Sequence, residues 1–158
     1  MAAEFLRNDV QTVNPNQPVL LTTSIGCNKG YVYHRPESGI IILRGITNNQ
    51  CFATYQVTFN GNIAIPDGGT VGPISISLAI DGEPILTSRA VATPTATATD
   101  PPTTENFFNV TSTAIIRVPK CCCYNVSVEN TSESATPATT PAPVILVQNA
   151  NLTVSRIA

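Results

Sequence analysis

The side chains best suited to chemistry in this chain are five cysteines and a single histidine, His34. Thiolates and imidazoles bind zinc or act as nucleophile and base where the fold brings them together. The cysteines lie at positions 27, 51, 121, 122 and 123, so no Cys-x-x-Cys pair occurs. With one histidine and no such pair, we predict no metal site and no cofactor. Cys27 and Cys51 are interpreted as small apolar core residues, as free cysteines often are.

The three consecutive cysteines, Cys121, Cys122 and Cys123, form the most unusual motif. On a strand, Cys121 and Cys123 would share one face and Cys122 would take the other. An odd total of cysteines excludes a complete set of disulfides within one chain. After oxidation the cluster is suited to a disulfide between subunits, and we count its three residues as candidate assembly contacts.

No catalytic motif accompanies these residues. The sequence lacks a Gly-x-Ser-x-Gly elbow, a His-Glu-x-x-His motif and a glycine-rich phosphate loop. No local motif pairs His34 with a cysteine, so we expect this histidine at a strand end or a subunit contact. Asp67, Asp81 and Asp100 lie in turn sequences, where aspartate bonds its own backbone. We therefore predict that the protein is not an enzyme.

Alternation of apolar and small polar residues is the dominant pattern along the chain. Residues 74–80 read ISISLAI and are followed by Asp81-Gly82. Period two indicates a strand with one buried face, and Asp-Gly fits a type I′ turn, so we predict a hairpin over 73–92. Residues 52–59 alternate in the same way. The run IIIL at 40–43 predicts a strand buried on both faces.

Repeated short strands and turns predict an all-β fold, an antiparallel β-sandwich of the jelly-roll type with eight to ten strands. We expect residues 1–18 to form an N-terminal arm with a first short strand, and residues 19–158 to form the jelly-roll domain. Residues 144–157 are expected to close the fold as one long strand broken at 149–151.

Two insertions rich in Thr, Pro and Ala interrupt the strand pattern, at 93–104 and 131–143. Such segments bury too little surface to fold alone. Two predicted strands, 107–118 and 123–130, lie between them. Loops separated by two antiparallel strands emerge at the same end of a sandwich, so we expect both insertions to project side by side.

The low content of charged residues indicates which kinds of partner the protein has. Only 11% of the residues are charged, against about 25% in ordinary soluble domains, and the net charge is −2. So few charges predict that a partner covers part of the surface, and we expect a homo-oligomer. The absence of a basic stripe argues against nucleic acid, and the absence of a long apolar run argues against membrane insertion.

Several further residues are candidate assembly contacts. Arg44, Arg89 and Arg117 lie in or beside apolar strands, where a charge must reach water or a partner. Phe5 and Leu6 are the large apolar residues at the start of the predicted arm. We interpret this arm as the anchor of the protein.

Three stretches carry a resemblance to a known family. They are 62–75, NIAIPDGGTVGPIS; 78–84, LAIDGEP; and 147–154, VQNANLTV. They resemble small β-proteins of Clostridia-type bacteria and their phages. In style the chain is also similar to trimeric jelly rolls of the tumour-necrosis-factor and complement-head type. The resemblance implies a trimeric structural protein of a phage virion that contacts capsid or other virion proteins.

The expected function is therefore structural: capsid decoration, a head fibre or a tail accessory module, assembled in the bacterial cytoplasm. Two alternatives stay open. One is a subunit of an extracellular or spore-surface filament, cross-linked through the cysteine cluster. The other is an adhesion module on a bacterial or virion surface that binds host-surface glycan through the loops at 93–104 and 131–143.

Overall fold

The computed structural model describes residues 2–26, 30–134 and 140–158, and these fold into two antiparallel β-sheets with no α-helix among them. No helix in these ranges is long and apolar enough to cross a membrane. The predicted jelly-roll sandwich is confirmed, with twelve strands rather than eight to ten. The strands are β1 (Ala2–Arg7), β2 (Gln11–Val13), β3 (Thr23–Ile25), β4 (Val32–His34), β5 (Ile41–Arg44), β6 (Phe52–Ala64), β7 (Ile74–Ile80), β8 (Glu83–Pro84), β9 (Ala90–Ala92), β10 (Phe108–Pro119), β11 (Cys123–Asn130) and β12 (Ile145–Arg156).

The two sheets exchange strands along the chain. Sheet 1 has the order β10-β6-β12-β1-β3, with β2 also paired to β12. Sheet 2 has the order β4-β5-β11-β7-β8, with β9 also paired to β7. Because β6 and β10 are 13 and 12 residues long and antiparallel, they define the two ends of the sandwich. The connections 45–51 and 120–122 lie at one end, and the segments after β6 and before β10 lie at the other.

Alternate side chains of the long strands fill the core, as period two requires. In β6, Tyr55, Val57 and Phe59 are fully buried, whereas the residues between them point outward. The hairpin prediction is confirmed at its turn, where Asp81 and Gly82 both have positive φ angles, as a type I′ turn demands. Its returning arm is short, because β8 is followed by a single 3₁₀ turn at Leu86–Ser88.

The last strand is long and contains a bulge. Ile145 and Val147 point into the core before the bulge, and Ala150, Leu152 and Val154 do so after it. The inward positions change from odd to even numbers, because the register with β6 shifts by one residue between 148 and 151. Asn149 takes a φ of 55° at this point. The predicted break at 149–151 is thus a β-bulge that keeps both halves in the core.

The prediction that residues 1–18 form an N-terminal arm with a first short strand is wrong for residues 2–7. These form β1, an inner strand of sheet 1 that pairs with β12 on one side and β3 on the other. Phe5 is completely buried and packs against the ring of His34, with 5.0 Å between ring centroids. The segment joins the sheet because Ala3 and Phe5 supply two alternate core side chains.

The run at 40–43 is not buried on both faces. Ile41 and Leu43 face the core, but Ile40 is exposed and Ile42 is half-buried on the outer face of sheet 2. Tyr33, the neighbour of Ile42 on β4, is itself exposed, so the outer face of sheet 2 is open to solvent beside these two side chains.

Both insertions lie at the same end of the sandwich, beside the 65–73 loop. Ala98 of the first insertion is buried with Ala64 and Leu146, and its amide donates to the Ile65 carbonyl at 2.8 Å. The described parts of the second insertion line a groove with residues 65–73; residues 135–139 lie outside the described ranges. The expected placement is confirmed, but the first insertion does not project freely, because Ala98 holds it to the core.

Replacing Phe5 by alanine tests whether β1 is part of the core. Phe5→Ala should lower the free energy of unfolding by about 3–5 kcal/mol, because a fully buried ring is lost and a cavity remains. Leu6→Ala, on the opposite face of the same strand, is the matched control and should cost less. Urea unfolding measures both, and equal, small effects of the two variants would mean that the segment behaves as a detachable arm.

Candidate functional site

The single histidine has a structural environment. His34 is buried, with Nδ1 2.8 Å from Ser24 Oγ and Nε2 3.0 Å from the Ser38 carbonyl oxygen. Both ring nitrogens therefore have partners on neighbouring segments, consistent with the expected place at a strand end. Among the described residues, no three His, Cys, Asp or Glu side chains are grouped so that they could hold a metal ion.

One carboxyl group is buried without a basic partner. Glu129 lies on β11, and Ser127 Oγ donates to its Oε1 at 3.4 Å. Burial raises the pKa of Glu129 above its ordinary value; the Ser127 hydrogen bond opposes this rise and the nearby charge of Glu83 adds to it. Among the side chains of the described residues, Ser127 is the one that hydrogen-bonds this carboxyl group.

Four cysteines lie together at one end of the sandwich. Cys121, Cys122 and Cys123 occupy the turn from β10 to β11, and Cys51 ends the loop before β6. The Lys120 amide donates to the Cys51 carbonyl at 2.8 Å, which joins the two segments. We call the 45–51 loop and the 119–123 turn the cysteine tip. All four thiols are free and exposed.

The prediction that Cys51 is a core residue is therefore wrong. Cys27, for which the same prediction was made, lies outside the described residues. Cys51 precedes β6 by one residue and follows the polar stretch 47–50, so it belongs to a surface loop. This polar stretch is the feature of the sequence that could have indicated an exposed loop at Cys51. Arg44, also predicted as an assembly contact, is exposed and pairs across the sheet with Cys123, which places it at the cysteine tip.

The face of sheet 1 that points away from the core is polar but almost uncharged. Glu4 and Arg117 are the only charged residues that point outward from its strands β1, β6, β10 and β12. Small polar side chains form rows across these strands. One row is Thr113, Thr58 and Thr153; the next is Thr111, Asn60 and Asn151; the third contains Asn109 and Asn62.

These polar side chains largely bind one another. Asn109 Nδ2 donates to Asn60 Oδ1 at 2.8 Å and to Asn62 Oδ1 at 3.1 Å, while Asn62 Nδ2 donates to Asn149 Oδ1 at 3.1 Å. Asn151 donates to Glu4 in the same layer. Uncharged groups that already have partners cost less to bury than free charges do. The face is therefore suited to contact with another protein surface.

One edge of the sandwich is apolar. It is formed by β10 of sheet 1 and β9 of sheet 2, together with the 3₁₀ turn at 86–88. The three most exposed large apolar side chains of the described residues belong to these elements: Leu86 at 72%, Val91 at 57% and Ile115 at 56%. Ile115 points to the outer face of sheet 1, as Thr113 does, whereas Val91, which pairs with Ser75, points to the outer face of sheet 2. None of these was singled out from the sequence, although the alternation of β10 places Ile115 outward.

The remaining predicted contacts have three different environments. Leu6 and Arg117 lie on the outer face of sheet 1, where the Arg117 guanidinium stacks over the Phe52 ring at 4.4 Å. Phe5 is in the core, so its prediction as an assembly contact is wrong. Arg89 is used within the chain: its Nη1 contacts Glu133 Oε1 at 3.2 Å and its Nε donates to Ser75 Oγ at 3.1 Å.

Arg89 fixes the start of the second insertion to sheet 2. Thr131 Oγ1 lies 3.0 Å from Ser75 Oγ and 2.9 Å from Ser77 Oγ, and Arg89 Nη2 donates to the Thr131 carbonyl at 3.4 Å. These contacts cover the outer face of β7, which explains why its serines are buried.

Comparison with known proteins identifies the fold. No family model matches the chain, and no curated protein is significantly similar to it. Solved structures do match. The globular domain of a zebrafish complement 1qA protein has a TM-score of 0.58 and 14% identity, and the match covers 99% of this chain and 97% of that one. The Eiger TNF of S. frugiperda has a TM-score of 0.60 and 14% identity, covering 100% and 92%. The chain therefore has the jelly-roll fold of C1q and TNF-like domains.

The raised pKa of Glu129 predicts a pH-dependent stability. The folded protein holds the Glu129 proton more tightly than the unfolded chain does. The resulting contribution to the free energy of unfolding is therefore full below the ordinary pKa of 4.5 and is lost as pH rises through the higher pKa of the folded state. Glu129→Gln should remove this loss, so the stability of the variant relative to wild type should increase from pH 4 to pH 7. Urea unfolding across this range measures it.

Ser127→Ala, which removes the hydrogen bond that lowers this pKa, should make the pH dependence steeper. Parallel pH profiles for wild type and Glu129→Gln would show that burial of this carboxyl does not control stability.

Proposed function

We propose that this chain is a non-enzymatic structural protein that assembles as a homotrimer through sheet 1. The observation that carries the proposal is the pairing of an apolar edge with a nearly uncharged face on the same protomer. The edge strand β10 of one protomer, with Ile115 exposed on it, would pack on the outer face of sheet 1 of the next, near Leu6 and Ile25.

Such an interface is heterologous, since it joins two different surfaces, and it closes into a ring when the rotation between protomers is one third of a turn. Two further facts support it. Only 11% of residues are charged, which leaves a large uncharged surface. The sequence also resembles trimeric jelly rolls, and the fold agrees with that resemblance.

We further propose that the trimer decorates a bacteriophage virion, where it contacts capsid or other virion proteins. This part depends on the sequence resemblance to small β-proteins of Clostridia-type bacteria and their phages. Antibody labelling of purified particles in the electron microscope tests it. Regular labelling of heads or tails supports the virion role; labelling of bacterial or spore surfaces instead would favour the filament or adhesion role.

The trimer interface can be tested by placing a charge on the apolar edge. Ile115→Glu should weaken association at least about a hundredfold, because a buried unpaired charge costs about 3–5 kcal/mol. Sedimentation velocity should show the mass falling from about 50 kDa to that of one chain, 16.7 kDa.

Tyr33→Glu is the matched control, because Tyr33 is equally exposed, at 51%, but lies on the outer face of sheet 2. It should remain trimeric. A trimeric Ile115→Glu variant, or a monomeric Tyr33→Glu variant, would place the interface elsewhere.

A further inference from the structure

The cysteine tip is held rigidly and presents its thiols outward. Four backbone hydrogen bonds of 2.8–3.0 Å fix it: Gly45 N to Cys122 O, Cys121 N to Gly45 O, Lys120 N to Cys51 O and Cys122 N to Pro119 O. The contact at Gly45 is so close that an added Cβ would lie 1.9 Å from the Pro119 carbonyl oxygen. The loop and the turn therefore form one surface, on which all four thiols are free and exposed.

Neighbouring thiols of the turn are poorly placed to pair with each other. Consecutive Cα atoms are about 3.8 Å apart, whereas unstrained disulfides need about 4.4–6.8 Å. Cys121 is additionally held at a φ of 66°. Disulfides between Cys121 and Cys122, or between Cys122 and Cys123, are therefore disfavoured, and all four thiols are free and exposed in this structure.

The tip also lies at one end of the sandwich, not on the lateral surfaces proposed for the trimer. It connects β10 of sheet 1 with β11 of sheet 2, and the two insertions lie at the opposite end. Contacts made by the tip are therefore end-on. Another copy of the chain brings the same four thiols to such a contact.

We propose that the cysteine tip is a thiol–disulfide coupling site through which two copies of this chain are joined covalently, end to end. The oxidant is a low-molecular-weight disulfide such as oxidised glutathione. A tip thiolate attacks this disulfide, forms a mixed disulfide and releases one glutathione thiolate. A thiolate on the second tip then attacks the mixed disulfide and releases the other. Two protein thiols are oxidised, the disulfide is reduced to two glutathiones, and these take up the two protons.

The experiment incubates the full-length protein with oxidised glutathione, blocks remaining thiols and analyses the products without and with reductant. We expect a covalent species of twice the chain mass that reductant dissolves, together with a native particle of twice the starting mass. Peptide mapping should locate the disulfide between tips. Replacing Cys51, Cys121, Cys122 and Cys123 by serine should abolish coupling, whereas Cys27→Ser, which leaves the tip intact, should not affect it.

Three results would overturn the proposal: glutathione adducts without coupled chains, disulfides only within one chain, or cross-linked chains whose native particle keeps its starting mass. The doubling to a six-chain particle rests on the proposed trimer, but the coupling does not. If the reduced protein is monomeric and still couples in pairs, the proposed trimer is wrong and the proposed coupling site is supported. If the protein is a stable trimer that never couples, the proposed trimer is supported and the proposed coupling site is wrong.

Discussion

Burial of alternate side chains between two sheets is the constraint on which the rest of this structure depends. Each long strand contributes every second residue to the core, and its other residues face outward. The bulge at Asn149 shows how strictly this holds, because one extra residue is inserted where the apolar positions of β12 change from odd to even numbers. Residues on the outer faces are then free to determine assembly.

The sequence was sufficient to predict features that depend on this period. The sandwich, the Asp81-Gly82 turn and the interruption of the last strand all follow from patterns of a few neighbouring residues. The errors concern contacts between distant segments. Residues 2–7 join sheet 1 because β12 and β3 flank them, and nothing in their own short sequence reveals this. Cys51 is the exception, because the polar stretch 47–50 directly before it already indicates a surface loop rather than the core.

The candidate surfaces were only partly predictable for the same reason. Cys121, Cys122 and Cys123 are conspicuous in the sequence, but their grouping with Cys51 requires the pairing of β6 with β10. The rows of threonine and asparagine on sheet 1 likewise emerge only when four strands are placed side by side. Ile115 stands in an ordinary strand pattern, and its role in the proposed interface comes from its exposure on the edge strand β10.

In the proposed assembly, these surfaces divide the roles of the protomer. Its lateral edge and the outer face of sheet 1 suit association with like protomers, one end bears the thiols, and the other bears the Thr/Pro-rich insertions. The mass of the reduced wild-type protein, measured by light scattering over a range of concentrations, tests the central claim most directly. A constant mass of about 50 kDa, three times the chain mass of 16.7 kDa, is the predicted result. A monomer at all concentrations would contradict the account.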